Sequence, residues 1–144
     1  VYGLTFNIDL NMIGRTSLVK VEDAVSKEER VKRMKIAILA LSETLCEGGY
    51  GAKRSRFLPI GGIESVCVAV TRTGTFVVSP PQEKDFIEKT YKRAHSDVEL
   101  LKKAGISTQV DVHAYTTLDE KVEGVKYYSS PEELFKALLS YLGE

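Results

Sequence analysis

Tryptophan is absent, cysteine occurs twice, proline four times, and no run of 18 apolar residues occurs anywhere in the 144 residues. Each shortage closes a class of protein. Without a long apolar run no segment reads as a membrane-spanning helix. Two cysteines, Cys46 and Cys67, set in apolar surroundings and without CxxC spacing, are too few for a disulfide framework. They read as buried, reduced thiols of a cytoplasmic protein. No basic, apolar leader opens the chain, which starts at Val1-Tyr2 already in strand-like sequence, as a piece of a longer protein would. Net charge is absent too, with 20 Lys and Arg balancing 20 Asp and Glu, so the chain is not a tail-like polyanion binder. What is present is 43% hydrophobic residues, enough for one domain over 1–144 with a real core.

The balance of charge is not uniform. Residues 1–56 carry 10 basic and 7 acidic side chains and residues 57–144 carry 10 and 13, a net +3 followed by a net −3. An anion-binding surface is therefore expected before residue 57.

Apolar residues at Leu4, Phe6, Ile8, Leu10 and Met12 alternate with Thr5, Asn7, Asp9 and Asn11, which predicts a half-buried strand. Residues 15–25 lack a period and read as a loop or bulged extension. Ser26 with Glu29 forms a capping box, and Val31, Met34, Ile38, Leu41 and Leu45 then recur at helical spacing up to a Gly48-Gly49 stop. Val66, Val68 and Val70, interleaved with Cys67 and Ala69, predict a strand apolar on both faces and hence central. Thr73-Gly74 would turn it into a hairpin partner at Thr75–Val78. A second helix is expected from Ser79-Pro80-Pro81-Gln82, with Ile87, Tyr91, Ala94, Val98 and Leu101 inward and Gly105 at its end. Strands at 108–116 and 125–128 and a last helix opened by Ser130-Pro131-Glu132-Glu133 complete the pattern. This order is α+β, with a ferredoxin-like or RNA-recognition-motif-like antiparallel sheet covered by amphipathic helices and one edge strand and helix short of a full unit.

Chemistry concentrates in Gly48-Gly49-Tyr50-Gly51-Ala52-Lys53-Arg54-Ser55-Arg56-Phe57-Leu58-Pro59. Glycines let a backbone approach a phosphodiester, Lys53, Arg54 and Arg56 supply counter-charge, and Tyr50 and Phe57 offer stacking surfaces. A solvated helix cap anchored by those aromatics competes evenly with that reading on spacing alone. A nucleotide P-loop is excluded, because Ala52-Lys53-Arg54 replaces Gly-Lys-Ser/Thr and the segment follows a helix instead of preceding one. His95 and His113 have no carboxylate or cysteine at metal-ligand spacing, and no serine or cysteine has a recognisable base partner. Asp9, on a polar strand face, reads as a solvated carboxylate before it reads as a catalytic acid. Arg30, Arg33 and Lys27, alternating with Glu28 and Glu29, read as a solvated helix face. No catalytic residue, metal site or cofactor is expected.

The run Gly51 to Pro59, preceded by a strand ending Met12-Ile13-Gly14 and followed by Glu64-Ser65-Val66, resembles the backbone subunit of archaeal type I-A CRISPR Cascade complexes. That family is related to the DevR group within the RAMP superfamily, and the resemblance extends from Phe6-Asn7-Ile8-Asp9 to Glu132-Glu133-Leu134-Phe135 as its C-terminal part. It implies an RNA-recognition-motif-like core whose copies stack in a helical filament along CRISPR RNA, holding the guide by its backbone and meeting target DNA through it. Other Cascade subunits are further implied partners. By the same resemblance Gly49, Gly51, Lys53, Arg54, Ser55 and Arg56 would lie near RNA phosphates, with Ile13, Gly14 and Arg15 beside the guide. Family chains continue upstream with a first core strand and a further RNA-contacting region. Two rival classes are a RAMP-type endoribonuclease, with Asp9 or His95 as its candidates, and a protein-only scaffold or transcriptional autoregulator.

Overall fold

A computed structural model describes residues 3–16, 19–47, 62–119 and 121–142. Its elements are α1 (Lys27–Cys46), β1 (Ser65–Thr71), α2 (Phe86–Lys103), β2 (Val110–Thr116), β3 (Lys126–Tyr127) and α3 (Pro131–Leu138), with single 3-10 turns at Leu10–Met12 and Leu139–Tyr141. The backbone divides into two compact units, Val1–Asn7 with Glu64–Ser129 and Ile8–Ile63 with Ser130–Glu144.

The first unit is a three-stranded sheet in the order β1-β2-β3, backed by α2. β1 and β2 run antiparallel, with Cys67 opposite Ala114 and Val68 opposite His113. The short β2–β3 pair is parallel, so the sheet is mixed where a wholly antiparallel one was expected. The α+β class is as the sequence predicts. Phe86, Ile87 and Ala114 form the buried centre, and Cys67, Val122, Val125 and Tyr127 pack around it. Ile87, Tyr91, Ala94, Val98 and Leu101 all face inward as their spacing requires, and Ala94 is completely covered. Gly124 is pinned by a close approach: with φ at +88° it turns the chain into β3, and a Cβ there would collide with the Tyr91 hydroxyl.

The second unit pairs α1 with α3. Ser26 caps α1 by accepting from the Glu29 N–H (3.3 Å), and Ser130 caps α3 by accepting from the Glu133 N–H (3.2 Å). Val31, Met34, Leu41 and Leu45 are half-buried around a buried Ile38, and Leu134, Phe135 and Leu138 form the buried stripe of α3. Near the end of α1, the Cys46 thiol is raised by burial, with Ser42 opposing and the Glu132 carboxylate of α3 adding to the rise.

Four further expectations are corrected. The strand expected over 4–12 is absent: Leu4, Phe6 and Ile8 stand exposed and residues 10–12 form a 3-10 turn, because an alternating segment becomes a strand only when a neighbouring strand takes its backbone hydrogen bonds and none does so among the described residues. β1 is an edge of the described sheet, and β2 is its central strand. Thr75–Val78 form no hairpin with β1, whose strand partner among the described residues is β2. That stretch is held along α2 instead: Arg93 stacks over Phe76 (5.5 Å) and donates to the Val77 carbonyl (3.2 Å), and the Ser79 N–H donates to Thr90 (2.9 Å). α2 itself starts at Phe86, because residues 81–85 are taken up by turns after the two prolines. The two cysteines are free and half-buried.

Candidate nucleic-acid interface

Gly49, Tyr50, Gly51, Lys53, Arg54, Ser55, Arg56 and Phe57, like the Gly48-Gly49 helix stop, lie outside the described residues. Of the expected site residues the structure describes Gly14 and Arg15, together with Ile13 before them.

These three close a short arm that starts in the 3-10 turn Leu10–Met12. Asp9 opens the turn, its carboxylate accepting from the Asn11 N–H (3.0 Å). The chain then reverses antiparallel on itself: the Thr16 N–H donates to the Glu22 carbonyl and the Ala24 N–H to the Gly14 carbonyl, both at 2.9 Å, with Arg15 bridged to Asp23. Residues 14–16 and 22–24 thus make a ladder too short to show a period of two.

Charge organises the arm's base. Arg15 Nε donates to Asp23 Oδ1 at 2.7 Å and Nη1 donates to the Asn11 side chain at 2.9 Å. Arg30, from the first turn of α1, places Nη1 3.2 Å from the same Asp23 oxygen. The hydrogen bond from Arg15 holds the Asp23 carboxyl below its usual range, and the charge of Arg30 adds to that pull. Two guanidinium groups thus share one carboxylate, leaving the trio with a net charge of +1. Gly14 sits at φ +76°, and a Cβ there would lie 2.8 Å from Arg30 Cγ. Only glycine fits between that side chain and the turn.

Arg30 is the residue that the sequence reading misplaced. It is a buried member of the arm, 8% exposed, and not part of a solvated face. The signal was its spacing: Arg30, Met34 and Ile38 are successive steps of four, so the arginine shares the inward stripe. Arg33 behaves as expected, paired with Glu29 at 3.0 Å on the outside.

The residues weighed for catalysis or metal binding are each engaged within their own surroundings. Asp9 is spent on its cap. His95 is exposed, stacked on Tyr91 and 3.5 Å from Glu99. His113 is buried in β2, its Nδ1 2.8 Å from the Tyr128 hydroxyl, and burial lowers its pKa, with the Lys126 charge adding to that and Asp111 opposing it. Among the described residues no group of three His, Cys, Asp or Glu side chains could hold a metal ion.

Sheet, helices and cationic arm define an α+β protein consistent with the ferredoxin-like class. Its sequence relationships are narrower than that class: residues 1–91 match the family described as CRISPR-associated negative auto-regulator DevR/Csa2. Over 142 residues the chain is 32% identical to the CRISPR-associated aCascade subunit Cas7/Csa2 2 of Saccharolobus solfataricus, covering 93% of this chain and 41% of that protein. The chain belongs to the DevR/Csa2 family of CRISPR-associated Cas7-type subunits, and it spans about two-fifths of the length of that relative.

Proposed function

We propose that this chain is part of a backbone subunit that holds CRISPR RNA by its phosphates in a Cascade-type effector complex of the cytoplasm. It would stack with copies of itself, contact other Cascade subunits and meet target DNA through the guide. The observation that carries this reading is membership of the DevR/Csa2 family alongside a relative named as an aCascade subunit. The residues support it in kind. A subunit serving many guides needs backbone contacts and no base-edge readout, which suits glycines and cations. Lys53, Arg54 and Arg56, with Gly49, Gly51 and Ser55 around them, would contact phosphates, and Tyr50 and Phe57 would supply stacking. Gly14 and Arg15 would lie beside the guide, where the trio of Arg15, Arg30 and Asp23 keeps one positive charge in excess. The role is non-catalytic, so CRISPR-repeat and target RNA incubated with the protein should stay intact.

The test is affinity for a guide-length single-stranded RNA across a salt series, for the protein and for a variant with Lys53, Arg54 and Arg56 all changed to alanine. Each phosphate contact on a single strand contributes roughly −0.7 to the log–log salt slope, so the variant should flatten it by about 2. Unchanged affinity and slope would return the segment to a solvated helix cap. The family's own description as a negative auto-regulator favours a second reading, regulation through duplex DNA, which is tested by comparing ligands.

A further inference from the structure

We propose that Arg30 is the positioning residue of the arm, setting the backbone and the charge that Gly14 and Arg15 present to RNA; this rests on the RNA-binding reading above. Its side chain is only 10% exposed, too covered to be a phosphate contact itself. Its guanidinium is spent inward: Nη2 donates to the Asn11 carbonyl at 2.9 Å, Nε to the Ile13 carbonyl at 3.2 Å, and Nη1 faces Asp23. One planar fork therefore ties both strands of the arm to α1. An ammonium on a flexible stem cannot reproduce that fork.

The charge relay has a direction. Asp23 accepts from Arg15 and faces Arg30 through the same oxygen, so its negative charge is divided between two cations. Removing Arg30 leaves Arg15 and Asp23 as a neutral pair, and the attraction of this turn for phosphate goes with it although Arg30 touches no ligand. The aliphatic stem acts at the same place, because it occupies the space beside Gly14 that any Cβ would need. Gly14→Ala should thus disturb the turn while leaving the Arg30 charge in place.

The experiment measures binding of the full chain to guide-length single-stranded RNA, in a salt series below the melting temperature of every variant, for Arg15→Ala, Arg30→Lys, Arg30→Met, Gly14→Ala and the double variant Arg15→Ala/Arg30→Lys. Loss of one charge-assisted contact corresponds to about tenfold in affinity. Arg30→Lys, Arg30→Met and Gly14→Ala should each lose about that much, as Arg15→Ala does, and the double variant should lose no more than Arg15→Ala alone. Retained affinity in Arg30→Lys would reduce Arg30 to a bulk charge and overturn the proposal. Additive losses in the double variant, or melting temperatures that fall while binding by the folded protein does not, would also overturn it. If Arg15→Ala has no effect while the wild-type chain binds, the inference fails and the RNA reading stands on other residues. If the wild-type chain does not bind, both fall.

Discussion

His113 is an imidazole buried against Tyr128, with rings stacked at 5.7 Å, and the fold disfavours its charged form. Its folded pKa lies below the ordinary 6.5, so as pH falls through 6.5 the unfolded chain takes up a proton that the folded chain refuses. Stability should be full above that pH and decline between 6.5 and the lower folded value. Urea midpoints measured between pH 8 and pH 5 should fall, and His113→Gln should flatten the dependence. Gly124 makes a second prediction at this scale. Gly124→Ala meets both the positive φ and the Tyr91 ring, and should cost about 1–3 kcal/mol in denaturant melts. Tyr91→Ala in the same chain should recover the steric part of that cost, leaving the strain of the backbone. Burial also pushes the Cys67 thiol up to about 11, so the group stays protonated at neutral pH.

Among the elements, α3 shows how little sequence a helix needs when its ends are marked. Ser130, Pro131 and the acidic pair Glu132 and Glu133 set its start, and eight residues suffice because Leu134, Phe135 and Leu138 are buried on one stripe. Leu134 is fully covered, so Leu134→Ala should cost roughly 2–5 kcal/mol in chemical denaturation. The two elements the pattern overstates fail for a common reason. Alternation at 4–12 and at 75–78 reports a chain able to be a strand, whereas a strand exists only beside a partner. The first pairs with no strand among the described residues and ends in the 3-10 turn Leu10–Met12, and the second is diverted by Arg93 and Thr90 of α2. Helices are legible because their hydrogen bonds close within four residues. Their ends were less so, as the late start of α2 at Phe86 shows.

For the molecule as a whole, charge is the property that bears on ligand choice. The chain is neutral overall but carries +3 in residues 1–56 and −3 in residues 57–144, so a polyanion should be drawn to the first part and repelled by the second. No helix among the described residues is long and apolar enough to cross a membrane. A backbone-reading RNA subunit should prefer guide-length single-stranded RNA to duplex DNA of equal length, by at least tenfold at one fixed salt concentration. Equal or tighter binding of duplex DNA in a competition titration would favour the auto-regulatory reading.

Periodicity and capping residues alone determined the α+β class, α1, α2, α3 and the pairing-competent strands β1 and β2, because helix hydrogen bonds are local and apolar spacing follows directly from backbone geometry. Composition marks the glycine and cation run at 49–56, which lies outside the described residues. What only the tertiary structure decided is long-range: which strands find partners, which edge β1 occupies, and where a charge goes when it leaves water. Arg30 illustrates the last of these. Its helical spacing placed it inward, but the carbonyls of Asn11 and Ile13 and the carboxylate of Asp23, supplied 7 to 19 residues upstream, make a buried guanidinium stable there.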